Sequence, residues 1–269
     1  MSRLHYVKSI RLPEFCGDLL ALSTDELLFI CNESLHALSL RTGQLSAHEH
    51  PTLSHLRDMA LDTRTGTLLF AERVDNWQLV SLRCEASKWL EVQRRNITLG
   101  SRAVLLSVCD SRVLVVGIGD SGLVLHHMFD ITAQHNLIGA GPEVQQRLGY
   151  NLACTRRDND TLIATDGGGS VSLQRLATGP LRLEHIATSQ DVAYIFKLLF
   201  RGELLLVADW KYENNTHKRI IQSFRATPNA LTERRVLLHN VSFFLDWTLA
   251  GDRLVLADTD SNLLVYDFV

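Results

Sequence analysis

The chain has 269 residues, 46% of them apolar, and a net charge of −3 at pH 7. That content supplies a full buried core and excludes a disordered chain, while the mild negative charge excludes global steering toward nucleic acid or an anionic membrane. No apolar run reaches the roughly 18 residues that cross a bilayer, because each meets Asp, Arg or Lys first.

The opening segment, MSRLHYVKSIRLPEF, alternates and carries charge, so it reads as a strand and not as a signal peptide. Its core, Leu4 to Leu12, stands ahead of a series of repeats. The first repeat (residues 13–52) has an apolar run, CGDLLALSTD, followed by ELLFICNESLHALSL from Glu26, two β-rich runs joined by a polar turn. HEHPTLSH, His48 to His55, connects it to the second repeat, and His48, His50 and His55 there are candidate zinc ligands. An H-x-H pair on an extended segment puts both rings on one side, but no third and fourth ligand is identifiable, and a solvated loop explains the same residues.

The second repeat (53–99) reads LRDMALDTRTG, then GTLLFAERVDNWQLVSL from Gly66, then a more polar run, KWLEVQRRNI. Trp77, in the turn VDNWQ, is expected either on the rim of the fold or packed between repeats. The third repeat (100–146) contains RVLVVGIGDSGLVLHHMF from Arg112, in which Gly117 to Gly122 imitates both the dinucleotide fingerprint and the Gly-Asp-Ser-Gly of serine proteases. A dinucleotide site requires a helix next, whereas LVLHHMFD alternates like a strand. A protease serine requires a His and an Asp placed by two barrels, and no A-A-H-C segment accompanies it. The segment is therefore expected to be a tight turn, as is DGGGS, Asp166 to Ser170. PEVQQRL, Pro142 to Leu148, looks like one helical turn.

The fourth repeat (147–190) carries DTLIATDGGGSVSLQRL from Asp160, and the fifth (191–240) carries ELLLVADWKYENNTHKRIIQSF from Glu203. The sixth (241–269) ends with DRLVLADTDSNLLVYDF and lacks a fourth run. In each repeat the runs are denoted a, b, c and d. The b runs are continuously apolar, as a strand covered on both faces must be, and the d runs are the most polar. Units of about 45 residues with four antiparallel strands are the blades of a β-propeller. The expectation is an all-β, single-domain, six-bladed β-propeller, with Leu4 to Leu12 supplying strand d of the last blade. A two-sheet sandwich or an irregular solenoid is the competing architecture.

Phe129-Asp130 in HHMFDIT and Tyr266-Asp267 in LLVYDFV stand where WD-repeat propellers end strand c in Trp-Asp, and LHALSLRTGQL, Leu35 to Leu45, looks like that family's strand c and following turn. With the unit length and the closing strand, the chain resembles the WD-repeat propellers. It departs from them in lacking Gly-His dipeptides between blades and in its six-blade count.

On such a fold the b–c and d–a connections share a rim. The longest b–c connection is DWKYENNTHKR, Asp209 to Arg219, where Trp210 and Tyr212 stand beside Lys211, Lys218 and Arg219. This composition suits an interface hot spot, and aromatics folded back on a neighbouring blade suit it equally. Asp75, Asp120, Asp166, Asp209, Asp258 and Asp260 recur near the b–c turns, either as turn residues or as calcium ligands at a central channel. Arg94-Arg95, Arg156-Arg157 and Arg234-Arg235 do not converge on one groove and have acidic neighbours, so they read as protected edges.

Cysteines 16, 31, 84, 109 and 154 are odd in number, lack C-x-x-C spacing and lie in apolar runs, which favours a reducing cytosol or nucleus. The N-x-S/T triplets at Asn32, Asn96, Asn159, Asn214 and Asn240 are what a Ser/Thr-rich chain produces by chance. The resulting expectation is a non-enzymatic interaction subunit of a cytoplasmic or nuclear complex, without cofactor or membrane. It would dock one or more proteins through Trp210, Lys211, Tyr212, Lys218, Arg219 and Trp77, and meet nucleic acid only through that complex. A metal-dependent hydrolase and an accessory subunit of a nucleic-acid-processing enzyme are the competing classes.

Overall fold

A computed structural model describes residues 3–12, 17–31, 34–50, 56–73, 75–98, 103–109, 111–119, 122–139, 146–149, 151–157, 160–177, 182–190, 192–213, 216–239, 241 and 244–269. Among them the regular structure is all β-strand. β1 (Leu4–Arg11) opens the chain. The first sheet takes β2 (Gly17–Ala21), β3 (Glu26–Cys31), β4 (Ser34–Ser39) and β5 (Leu45–His48), and the second takes β6 (Leu56–Asp62), β7 (Thr67–Arg73), β8 (Trp77–Glu85) and β9 (Lys88–Ile97). In the third, β10 (Ala103–Val108), β11 (Arg112–Gly119) and β12 (Gly122–Ile131) are followed by β13 (Leu137–Gly139) and β14 (Gln146–Gly149), which share the outer place on β12. The fourth runs β15 (Leu152–Arg157), β16 (Asp160–Asp166), β17 (Val171–Ala177), β18 (Arg182–Ser189), and the fifth β19 (Ile195–Arg201), β20 (Leu204–Glu213), β21 (Thr216–Thr227), β22 (Ala230–His239). β23 (Phe244–Ala250), β24 (Arg253–Asp258) and β25 (Asn262–Phe268) form the sixth sheet with β1 as its outer strand. The architecture is a six-bladed β-propeller.

The chain divides into two compact units. One comprises Met1–Ile97, Ala133–Asn136 and Ser242–Val269, and the other Thr98–Thr132 and Leu137–Val241. In the first unit, side chains alternate along β3: Leu27 and Phe29 pack with Val255 and Leu263 of the sixth sheet, while Leu28 packs with Leu68 and Phe70 of the second. In the second unit, Leu162 and Ala164 of β16 face Leu205 and Val207 of the fifth sheet, while Ile163 faces Leu114 and Val116 of the third. Because neighbouring residues of a strand point to opposite faces, a b strand between two sheets must be apolar at every position. The polar outer strands obey the opposite rule: β22, with Arg234 and Arg235, is mostly exposed.

β1 pairs antiparallel with β25 from Leu4↔Phe268 to Arg11↔Asn262, and Arg3 and Val269 exchange both backbone hydrogen bonds at 2.7 and 2.8 Å. The two ends of the sequence thus meet in one sheet. Within the GIGDSG segment β11 and β12 pair up to Gly119↔Gly122, as a hairpin requires, and Asp120 and Ser121 lie outside the described residues. The expected helical turn at Pro142 to Leu148 is corrected: Gln146 to Leu148 belong to β14, and positions 142–145 lie outside the described residues. The expected loop from Asp209 to Arg219 is also corrected. β20 and β21 continue through it as a ribbon, Trp210↔Arg219, Lys211↔Lys218, Tyr212↔His217, because its β-rich residues extend the ladder.

In the first unit a hydrogen-bond chain runs from Asp62 through Thr65 (2.6 Å) and Thr67 (2.6 Å) to His135 Nδ1 (2.8 Å). An ionised carboxylate accepts only, and each hydroxyl has one proton. Thr65 therefore donates to Asp62, Thr67 to Thr65, and His135 Nδ1–H to Thr67, which fixes the histidine tautomer.

Each unit also carries an arginine-bracketed carboxylate. Asp25 accepts from Arg41 at 2.6 Å and from Arg253 at 2.9 Å, and Glu203 accepts from Arg157 at 2.9 Å and from Arg225 at 3.1 Å. The Arg41 guanidinium, then Arg253, holds the Asp25 carboxyl below its usual range, and Arg157, then Arg225, does the same for Glu203. A depressed folded-state pKa contributes stability that is present above the unfolded value, near pH 4. It is lost as the pH falls through the lower folded values. Asp25→Asn and Glu203→Gln are therefore expected to lower Tm at neutral pH and to converge with the parent chain in acid. Thermal melts across the pH range check this, and a deficit that persists unchanged into acid would show that the charge pairs are not its cause.

Candidate functional site

The richest binding chemistry described in the second unit lies where the fourth and fifth sheets approach at their b–c ends. The hairpin Gly167–Ser170 closes with a Gly167 N–H to Ser170 C=O bond of 2.8 Å, and Gly168 and Gly169 adopt φ of 70° and 103°, which side chains other than hydrogen rarely tolerate. Beside it is the Ala193–Tyr194 corner, whose two amides donate to Asp209 Oδ1 at 2.9 Å each. Asp209 is fully buried, and its Oδ2 accepts from Gln222 Nε2 at 3.0 Å. Gln222 Oε1 in turn accepts from Arg234 Nε at 2.7 Å. This chain of bonds fixes the corner that displays Tyr194, which is 74% exposed. Trp210, the next residue after Asp209, donates its backbone N–H to Tyr194 C=O at 2.8 Å, and the Arg219 guanidinium lies 5.6 Å from the Trp210 ring centroid.

The exposed Tyr194 phenol and the Arg219 guanidinium, which lies over the half-buried Trp210 indole, make this corner a platform of one open ring and one cation fixed on a second ring. The cross-strand pairing Trp210↔Arg219 creates the cation–π contact directly. Tyr194 was missed in the sequence, where it sits inside an apolar run, AYIFKLLF. Its signal is its place at the start of strand a, before Ile195 begins β19.

The remaining predicted residues disperse. Lys211, Tyr212 and Lys218 lie on the same β20–β21 ribbon. Trp77 is 3% exposed, its ring under the Arg73 guanidinium at 5.7 Å, so it has almost no surface for a partner. The reason is its place: it begins β8 opposite Arg73 instead of standing in the turn. His55 lies outside the described residues. His48 and His50 border a shallow groove of about 560 Å³ in the first unit, where Glu49 between them bonds Lys88 at 3.0 Å. Burial pushes the His48 imidazole below its usual range; Glu26 opposes this and His36 adds to it. Among the described residues no three His, Cys, Asp or Glu groups are placed to hold a metal ion.

The recurring acids are mostly committed to backbone. Asp166 accepts from Asn151 N at 2.8 Å and Nδ2 at 3.0 Å, and Asp258 accepts from the amides of Asp260 and Asn262 at 2.9 and 2.8 Å. Asp75 is exposed, and Asp120 lies outside the described residues. A carboxylate at the end of a buried b strand is needed to satisfy amides that the ladder leaves over, and this accounts for the recurrence. The aromatic–Asp ends of strand c are also explained: Asp130 bonds Arg112 at 2.8 Å and Asp267 bonds Arg253 at 3.3 Å, each arginine at the start of its sheet's b strand.

No family model and no curated protein matches the sequence. Solved structures do match. The PQQ-bound aldose sugar dehydrogenase from Streptomyces coelicolor aligns over 100% of this chain and 99% of its own, with a TM-score of 0.64 and 13% identity. The putative oxidoreductase (glucose dehydrogenase) from Thermus thermophilus aligns over 100% of both chains, with a TM-score of 0.61 and 11% identity. A chain of the mitotic checkpoint complex aligns over 98% of this chain and 96% of its own, with a TM-score of 0.62 and 14% identity. What is shared is the fold. The expectation of a non-enzymatic scaffold is corrected by the first two: the architecture on which it rested matches, end to end, structures named as dehydrogenases. A fold-level inference to a scaffold fails because propellers carry catalysis and assembly alike.

Proposed function

We propose that the chain is a propeller enzyme of the oxidoreductase class that acts on a small polyhydroxylated ring, bound at the Tyr194–Trp210–Arg219 platform. The supporting observation is the whole-length likeness to two dehydrogenases, one named for aldose sugars and one for glucose. The platform suits such a substrate. A sugar presents an apolar C–H face to an aromatic ring and a rim of hydroxyls to a guanidinium. Tyr194 would orient the ring, and Arg219, fixed over Trp210, would hold its oxygens.

The pyrroloquinoline quinone carried by the Streptomyces protein does not fit the described residues. Asp166 and Asp258 at the b–c ends are occupied by backbone amides, and the described residues offer no three-ligand group for a cation that would neutralise its carboxylates. No chemical step is therefore assigned to it. We also read Phe129-Asp130 and Tyr266-Asp267 as a degenerate WD-repeat-like signature, supported by the repeated cross-strand Arg–Asp pair.

The test is dye-linked oxidation of glucose and other aldoses by the purified chain, with dichlorophenolindophenol as acceptor, with and without added quinone. Sugar-dependent reduction of the dye that falls at least about tenfold in Tyr194→Ala and Arg219→Ala is expected, as for the loss of well-placed substrate contacts. Absence of both turnover and calorimetric sugar binding would overturn the reading.

A further inference from the structure

The third and fourth sheets meet in the second unit through their innermost strands, β10 and β15. On β15, Leu152 and Cys154 pack toward the third sheet, among Leu114, Val116 and Ile163, while Ala153 between them faces the fifth. On β10, Leu105 belongs to the same cluster, so the alternation of a strand carries Leu105 and Ser107 on the face that meets β15. Cys109 follows directly after β10, where its N–H and C=O close a tight turn with Arg112. The Ser107 hydroxyl lies 3.1 Å from the Cys154 sulfur, and the Cys109 thiol is hydrogen-bonded to the same sulfur.

Two thiols and a hydroxyl are thus gathered at one point on the edge of an apolar core. Cys109 is buried and Cys154 is partly exposed. The bond from Cys109 holds the Cys154 thiol below its usual range; burial opposes it, and the bond from Ser107 adds to the fall. A thiolate is the reactive form of cysteine, and a second thiol beside it resolves the product of its oxidation. Cys31 is buried in the first unit and Cys84 is exposed on β8.

We propose that Cys109 and Cys154 form a peroxide-reactive dithiol whose disulfide ties the inner strands of the third and fourth sheets together. The Cys154 thiolate attacks one oxygen of hydrogen peroxide; an S–O bond forms, the O–O bond breaks, and the departing hydroxide takes up the thiol's proton as water. The Cys109 sulfur then attacks the sulfenic sulfur. An S–S bond forms, the S–O bond breaks, and the second hydroxide leaves as water with the Cys109 proton. Two electrons pass from the sulfurs to the peroxide, which is the oxidant, and two waters are released. Ser107 is a positioning residue that stabilises the thiolate by donating to it.

The test uses the full chain, treated with hydrogen peroxide while folded, then denatured with N-ethylmaleimide and mapped by peptide mass spectrometry. Expected is the joint loss of the Cys109 and Cys154 thiols with one cross-linked peptide pair, and a higher Tm that dithiothreitol reverses. In Cys109→Ser, Cys154 is expected to accumulate as a dimedone-reactive sulfenic acid, and Ser107→Ala is expected to slow loss of the Cys154 thiol several-fold. Survival of both thiols at a peroxide dose that oxidises exposed Cys84, or cross-linking of either to another cysteine, would overturn the proposal. Because the measurement on the unsubstituted chain stands alone, a variant that fails to fold leaves the result decided.

Discussion

Deleting residues 1–11 is expected to remove the cooperative thermal transition or to lower Tm by at least about 10 °C. β1 is the outer strand of the sixth sheet, and its ladder with β25 runs from Leu4↔Phe268 to Arg11↔Asn262. At a net of about 1 kcal/mol per hydrogen bond, losing that ladder removes roughly 5–8 kcal/mol, a large part of the 5–15 kcal/mol that holds a domain folded. Leu4 is lost from the core as well, and β25 becomes an open edge able to pair with another chain. Calorimetry and light scattering on the truncated chain measure both effects. A synthetic peptide of residues 1–12 added in trans is expected to recover part of the transition. A truncated chain that melts within about 3 °C of the parent would show that the closing strand is dispensable.

Asp209→Ala is expected to cost about 3–5 kcal/mol, in the range for breaking a buried charged network. The buried carboxylate accepts three hydrogen bonds, and its removal takes their acceptor from the Ala193 and Tyr194 amides and from the Gln222 amide. Asp209→Asn separates charge from geometry. Its oxygen still serves the two amides, but its NH2 group then faces the NH2 of Gln222, which cannot flip because Arg234 holds its oxygen. Adding Gln222→Glu supplies an acceptor at that point and is expected to recover more than half of the loss. Chemical denaturation of the three variants tests this, and equal stability of Asp209→Ala and the parent chain would refute the network. Because Asp209 fixes the corner bearing Tyr194, the same variants are expected to weaken the proposed sugar binding in step with their stability.

These two sites mark how much was legible in the sequence. The b runs, such as VLVV and LLLV, announced strands covered on both faces because their pattern has no polar position. The missing d strand after Val265-Tyr266 together with the spare Leu4 to Leu12 announced the closure. GIGDSG was legible as a turn because five other hairpins stood in the same register. Asp209, by contrast, looked like one more turn residue. Its full burial follows from β20 continuing as strand past it to Glu213, which a β-rich but polar stretch did not reveal.

The sequence by itself determined the repeated a, b and c strands, the closing strand and the two-sided burial of the b strands, because all of these follow from apolar patterning and from turn residues acting locally. Only the tertiary structure decided which side chains meet and which stand exposed: Trp77 under Arg73 within one sheet, Tyr194 on an exposed corner, Cys154 beside Ser107 and Cys109 between two sheets. Those meetings depend on cross-strand register, which one-residue bulges shift, as between Ile195 and Lys197 on β19 and between Leu125 and His127 on β12. A bulge moves every later side chain to the other face of its strand, and no local pattern records where it falls.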